Sequence, residues 1–181
     1  MSAYRIVPAA IASLALAASL AACSSEAPEA EAGAETEAAA TDAPETALTD
    51  EQIKEVLHER HELYEEMGDD FKAIRVQLEG GSPDMAAIAA SAKAMSAKGV
   101  QIKDMFPAGT ALEDGHKTEA LKTIWEQPEK FEEARLALIT KADALAAAAE
   151  SGDGAAVGNA VKELGGSCKG CHDTFRKPED D

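Results

Sequence analysis

Residues 165–177 read GGSCKGCHDTFRK, and the segment CKGCH, from Cys168 to His172, is the part of the chain with the most specific chemistry. Two cysteines three residues apart, with a histidine directly after the second, can attach haem, bind zinc or form a redox disulfide. The surrounding sequence decides which of these the chain can support.

The motif lies late in a predicted helix. Val157, Val161 and Leu164 precede it at helical spacing, and Cys168, Cys171 and His172 continue the same face. Both sulfurs and the imidazole are therefore predicted to point into the core. A thioredoxin-type centre begins a helix after a strand, and no strand pattern precedes this motif.

Zinc requires a fourth ligand, and the other histidines, His58, His61 and His116, form no paired set with the motif. A surface disulfide leaves the histidine and the small aromatic content, 4%, unexplained. Haem accounts for every residue, since the thiols can form thioethers with its vinyl groups and the histidine can reach the iron. We therefore predict one covalently attached haem c.

Three further helices precede the motif. The first begins at a capping box of Thr49 and Gln52, carries an apolar stripe to Leu78 and ends at Gly80-Gly81. The second is predicted to begin at Ser82-Pro83, with the serine as N-cap, and its seam contains Met85, Ile88, Ala92, Met95, Gly99, Ile102 and Phe106.

A long connection, with a short helical turn near residues 121–125, leads to a third helix opened by Pro128. Its apolar face consists of Phe131, Ala134, Leu138, Ala142, Leu145 and Ala149. Residues 151–154 end it, and Asp153 caps the last helix. The pattern predicts an all-α fold, an antiparallel four-helix bundle with haem near the C-terminal end of its last helix.

The N-terminal segment differs in composition. Residues 1–22 resemble an export signal that ends in a lipobox, which predicts lipidation at Cys23; the alternative is an ordinary secretory signal. Residues 23–48 are predicted to be a disordered acidic tether, 49–178 the bundle and 179–181 an acidic tail. The predicted location is the periplasm, with membrane attachment through the lipid alone.

Charge and motif content narrow the function. The formal net charge of the chain is −17, which excludes nucleic acid as a partner and favours redox proteins with a basic docking face. No acid pair, activated nucleophile or phosphate-binding glycine loop is recognisable, so we predict a carrier and not an enzyme.

These features together resemble the cytochrome c prime family, the class II cytochromes c. The resemblance extends over about residues 49–178 and rests on GxSCKxCHDxFR at the C-terminus, Arg60 and Tyr64 in the first helix, Phe106-Pro107-Ala108-Gly109-Thr110, and Ile124-Trp125. It implies thioether bonds at Cys168 and Cys171 and His172 as the proximal iron ligand.

The resemblance also implies that Arg60 lies near a haem propionate, Arg176 near the proximal face, and Phe106 in the distal wall or the core. For Arg60 a solvated helix charge is the alternative. The family frequently forms homodimers through its first two helices, and most members have five-coordinate iron that binds NO or CO.

Tyr64 stands where most relatives have a small apolar residue or, in low-spin members, a methionine. It could be a lid, a hydrogen-bond donor or a phenolate ligand. Met67, one turn on, is the rival sixth ligand and would make the protein a six-coordinate electron carrier. The competing class of function is a non-haem helical lipoprotein that acts as a scaffold or metal buffer.

Overall fold

The computed structural model describes residues 47–178. The predicted signal peptide, Cys23, nearly all of the tether and the tail at 179–181 lie outside the described residues. The helices are α1 (Asp50–Glu79), α2 (Met85–Gln101), α3 (Thr123–Glu126), α4 (Pro128–Ser151) and α5 (Gly154–Phe175). The four long helices pack as α1 on α2, α2 on α4 and α4 on α5, which confirms the predicted all-α four-helix bundle.

Local sequence signals set most helix ends. Thr49 Oγ1 accepts a hydrogen bond from Gln52 N at 3.3 Å while Gln52 Oε1 accepts one from Thr49 N at 2.9 Å, so the predicted capping box is present. Pro128 occupies the first turn of α4. Gly152 ends α4 with a φ of 73°, a left-handed conformation that glycine adopts at little cost, and Asp153 caps α5.

The predicted start of the second helix was wrong by two residues. Asp84, and not Ser82, is the N-cap of α2, because its Oδ1 accepts from the backbone N–H groups of Ala86 at 2.9 Å and Ala87 at 3.1 Å. The N–H of Asp84 in turn donates to Gln77 Oε1 in α1 at 3.1 Å. This bond joins the start of α2 to the end of α1. The helix also ends earlier than the predicted seam, at Gln101, where a 3₁₀ turn over Ile102–Asp104 begins.

The core confirms the predicted apolar faces. Its buried side chains come from all four long helices and include Ile74, Ile88, Met95, Leu145 and Leu164. Gly99 allows α2 and α4 to approach closely, since a Cβ added there would lie 2.7 Å from Ile139 Cγ1. Likewise α1 meets α5 at Phe71, whose Cζ would lie 3.3 Å from a Cβ added at Gly165.

The long connection is more ordered than the sequence indicated. It contains a second 3₁₀ turn at Leu112–Asp114 and then residues 117–120, which we call the strap. The strap runs antiparallel to the end of α5: Ala120 and Arg176 form a bridge, Leu121 N donates to Phe175 O at 3.0 Å, and Lys177 N donates to Glu119 O at 2.7 Å. This pairing fixes the strap beside the C-terminus of the last helix.

Among the described residues, no helix is both long enough and apolar enough to cross a membrane.

Candidate functional site

A cavity of about 740 Å³ lies between α1, α4, α5 and the strap. Its volume falls within the range of sites that enclose a cofactor or a drug-sized ligand, roughly 300–1,000 Å³. All eight residues predicted to bind the cofactor line it: Arg60, Tyr64, Met67, Phe106, Cys168, Cys171, His172 and Arg176. The fold thus brings together residues separated by more than a hundred positions in the chain.

Helix α5 supplies the cysteines and the histidine. Cys168 and Cys171 are half-buried thiols, and both line the cavity. Burial raises the pKa of both thiols, that of Cys171 to about 11, with neighbouring Cys168 as a lesser cause. His172 also lines the cavity and is exposed to solvent. His172 shares this cavity with both sulfurs, and its predicted role as an iron ligand stays a prediction.

Arg60 is buried, with 4% of its surface exposed, so the alternative of a solvated helix charge is wrong. Its Nη1 donates to Thr110 Oγ1 at 3.2 Å and to Met105 O at 3.4 Å, and its Nη2 donates to Thr110 O and Thr118 Oγ1, both at 3.0 Å. The guanidinium carbon also lies 4.6 Å from the centre of the Phe106 ring.

The acceptors around Arg60 are all uncharged. No carboxylate of residues 47–178 lies within ion-pair distance of the guanidinium. Burial accordingly lowers the pKa of Arg60 to about 10, because a charge removed from water is costly even when it is hydrogen bonded. The cavity therefore has a buried positive charge in its wall that a carboxylate within the cavity would balance.

Tyr64 and Met67 both project from α1 to the cavity. Burial raises the pKa of the Tyr64 phenol, with Cys171 adding to the shift and Arg60 opposing it, so the neutral phenol is strongly favoured over the phenolate. Met67 is 6% exposed and belongs to the hydrophobic core as well as to the cavity wall. His61 also lines the cavity, but its side chain is 67% exposed and pairs with Glu65.

Aromatic rings form one wall of the cavity. Phe106 meets Tyr64 at 6.4 Å and Phe131 at 4.9 Å between ring centres, and Phe131 meets Phe175 at 5.2 Å, all edge to face. Trp125 Nε1 donates to Phe106 O at 3.1 Å and steadies this row from behind. An apolar, aromatic-lined cavity suits a large flat ligand with few polar groups.

Sequence reasoning missed two features of the site. Arg135 on α4 lines the cavity, ion-pairs with Glu132 and donates to Gly99 O at 3.1 Å. The strap also lines it, through Thr118 on Arg60 and through Glu119, whose Oε2 accepts from Arg176 Nε at 2.6 Å. The strap residues show no periodicity, so no sequence signal singles them out.

The donor set fits a covalently held macrocycle better than a bare metal ion. In the described part of the chain, no three histidine, cysteine, aspartate or glutamate side chains lie close enough together to hold a metal. Two thiols and an imidazole from one helix, an aromatic wall and a buried guanidinium match the vinyl groups, iron, flat ring and carboxylates of haem. The residues present therefore fit haem c.

Comparison with known proteins agrees with this geometry. Residues 55–176 match the family model described as Cytochrome C'. A cytochrome c prime of Pararhodospirillum photometricum is 38% identical over 118 residues, which are 65% of this chain and 93% of that protein.

Two solved structures give the same result. Cytochrome c prime from Shewanella frigidimarina aligns with a TM-score of 0.64 at 30% identity, over 72% of this chain and all of that one. A nitric oxide complex of a variant of cytochrome c prime from Alcaligenes xylosoxidans aligns with a TM-score of 0.62 at 26% identity, over 70% and 97% of the two chains. All eight predicted site residues lie within the range that the family model matches.

Proposed function

Since the chain belongs to the cytochrome c prime family, we propose that it carries one haem c on Cys168 and Cys171, with His172 as axial ligand, and works as an electron carrier and gas-binding protein. The observation that carries the proposal is the cavity of about 740 Å³ that these three residues line together with Arg60 and Tyr64. When bound, haem supplies an iron that exchanges one electron and can take a diatomic ligand.

Each residue of the cavity has a separate task in this proposal. The two thiols, kept protonated by burial, form the covalent attachment, and the α5 backbone orients His172 beside them. Arg60, held by neutral oxygens, balances a buried carboxylate of the cofactor. The row Tyr64, Phe106 and Phe131 excludes water from the apolar part of the cavity.

We assign Tyr64 as a lid over an otherwise open sixth position. Its ring packs edge to face on Phe106 in the cavity wall, with 6.4 Å between ring centres, which supports a packed aromatic lid. A five-coordinate site follows from this assignment, and NO or CO are ligands of suitable size. The alternative is Met67, which lines the same cavity from the same helix; as sixth ligand it would leave a low-spin electron carrier.

The wider setting is proposed on sequence grounds. We place the protein in the periplasm, attached to a membrane by a lipid on Cys23, with residues 23–48 as tether and 49–178 as the haem-binding domain. Its partners would be redox proteins with a basic face, since the chain is strongly acidic. A homodimer through α1 and α2 is a further prediction, which sedimentation equilibrium of the purified protein tests.

The visible spectrum tests the central proposal. The full chain is expressed with a haem-attachment system, and spectra of the oxidised and reduced forms are recorded before and after CO or NO is added. A high-spin spectrum that changes with gas supports the open site beneath Tyr64. A low-spin spectrum that gas leaves unchanged supports Met67 ligation, and a colourless protein would replace the haem proposal with a non-haem helical lipoprotein, a scaffold or metal buffer.

A further inference from the structure

The strap connects the two sides of the haem cavity. Each of its four residues, 117–120, lines the cavity. On one side Thr118 Oγ1 accepts from Arg60 of α1 at 3.0 Å, and on the other Glu119 Oε2 accepts from Arg176, at the end of α5, at 2.6 Å. Neighbouring residues of the strap therefore hold two different arginines of the cavity: Thr118 holds Arg60, and Glu119 holds Arg176.

The two arginines are held by chemically different partners. Arg60 is buried and bonded to uncharged oxygens, so its full charge is available to a group in the cavity. The Arg176 side chain is 36% exposed and forms an ion pair with the carboxylate of Glu119. A carboxylate at hydrogen-bond distance cancels most of the field of a guanidinium beyond the pair itself.

Arg176 also depends on an external partner for its position. It is the C-cap residue of α5 and has an extended backbone, with φ −115° and ψ 141°, so the helix no longer fixes the direction of its side chain. Glu119 can orient the Arg176 side chain because the backbone of the strap is paired with the end of α5. Glu119 O accepts a hydrogen bond from Lys177 N, and Ala120 forms a bridge with Arg176.

We propose that Glu119 is a positioning residue for Arg176: its carboxylate holds the guanidinium at the mouth of the cavity and cancels its charge there, so that Arg60, and not Arg176, presents an unbalanced charge to the cofactor. The inference rests on the proposed function, since the charge balance at the cavity affects function through the reduction potential of the haem iron. A positive charge near the iron favours the reduced form, and a negative charge favours the oxidised form.

The experiment measures the midpoint potential of the full haem-loaded chain in five variants beside the wild type. Glu119→Gln removes the carboxylate that pairs with Arg176, Arg176→Gln removes the guanidinium and keeps the carboxylate, and the double variant removes both charges. Glu113→Gln is the matched control, because Glu113 is an exposed carboxylate of the same connection that accepts from Lys122 N at 2.9 Å and does not line the cavity. Thermal unfolding of each variant checks that the bundle remains folded.

The expected shifts have opposite signs. Glu119→Gln should raise the ratio of reduced to oxidised protein at a fixed potential by about threefold to tenfold, tenfold being 59 mV for one electron. Arg176→Gln should lower this ratio. The midpoint potential of the double variant should differ from that of the wild type by no more than the potential of the Glu113→Gln control does. Glu119→Asp, which keeps the charge, should restore most of the wild-type potential.

Three results would overturn the inference. They are a Glu119→Gln shift no larger than that of the control, single variants that shift the potential in the same direction, and a double variant that keeps the full Glu119→Gln shift. A colourless wild-type protein would overturn both the haem proposal and this one, whereas a coloured wild type with a silent Glu119→Gln variant would overturn this one alone.

Discussion

Replacing Gly99 by alanine should destabilise the bundle although alanine is the better helix former. Gly99 lies in α2, and a Cβ built there would be 2.7 Å from Ile139 Cγ1 of α4 and 3.5 Å from Leu138 Cδ2. Cγ1 of a β-branched side chain cannot turn away without a rotamer change, so α2 and α4 must separate or Ile139 must leave its rotamer. Overpacking of this kind costs about 1–3 kcal/mol.

The helix preference of alanine offsets part of that cost. Glycine in a helix interior is about 0.5–1 kcal/mol less favourable than alanine, so Gly99→Ala should lose a net of about 0–2.5 kcal/mol of unfolding free energy. Gly158 in α5 is the matched control, because nothing lies within 4 Å of a Cβ added there. Gly158→Ala should therefore gain about 0.5–1 kcal/mol.

Urea unfolding followed by far-ultraviolet circular dichroism measures both variants in the same haem-loaded preparation. The decisive quantity is the difference in unfolding free energy between the two variants, expected at about 1–3 kcal/mol. The helix preference of alanine contributes equally to both variants, so it cancels in this difference. If Gly99→Ala were as stable as Gly158→Ala, the close approach of α2 and α4 would not exist as described. The Gly99 carbonyl accepts from Arg135, so separation of the helices should also alter the cavity wall.

Three other predictions follow from the caps, an interhelical ion pair and the cavity. Asp84→Ala should cost about 0.5–2 kcal/mol of unfolding free energy through loss of the α2 cap, while Ser82→Ala should leave it nearly unchanged; equal effects in urea unfolding would contradict the assignment. Lys98 has a raised pKa, chiefly through its hydrogen bond to Asp70, so its stabilisation is complete below its unfolded pKa near 10.5 and is lost as pH rises through the higher folded value. Lys98→Met should thus lose about 1 kcal/mol or less at pH 7, and its deficit should shrink above pH 10.5 in pH-dependent unfolding; a constant deficit would refute the pairing. Met67→Leu should leave the visible spectrum unchanged if the sixth position is open, and conversion of a low-spin spectrum to high-spin would instead identify Met67 as a ligand.

The sequence predicted what depends on residues close together in the chain. The capping box at Thr49, the proline that opens α4 and the Asp153 cap are correct because each involves partners within four positions. The start of α2 was missed by two residues because Ser82-Pro83 offers a competing local start signal, whereas Asp84 makes the cap bonds. The same limit applies to the site, where the cysteine motif is local but its surroundings are not.

Sequence alone therefore determined the helical class, the approximate helix ends and the place of the CKGCH segment late in the last helix, because the repeat of apolar residues and the caps are local physical signals. The tertiary structure decided what surrounds that segment. The bonds of Arg60 to Thr110 and Thr118 join residues 50 and 58 positions apart, and the pair of Glu119 and Arg176 joins residues 57 apart. Such contacts form only when the bundle closes and brings the strap against α1 and α5, and no periodic pattern in the chain encodes which arginine meets a neutral oxygen and which meets a carboxylate.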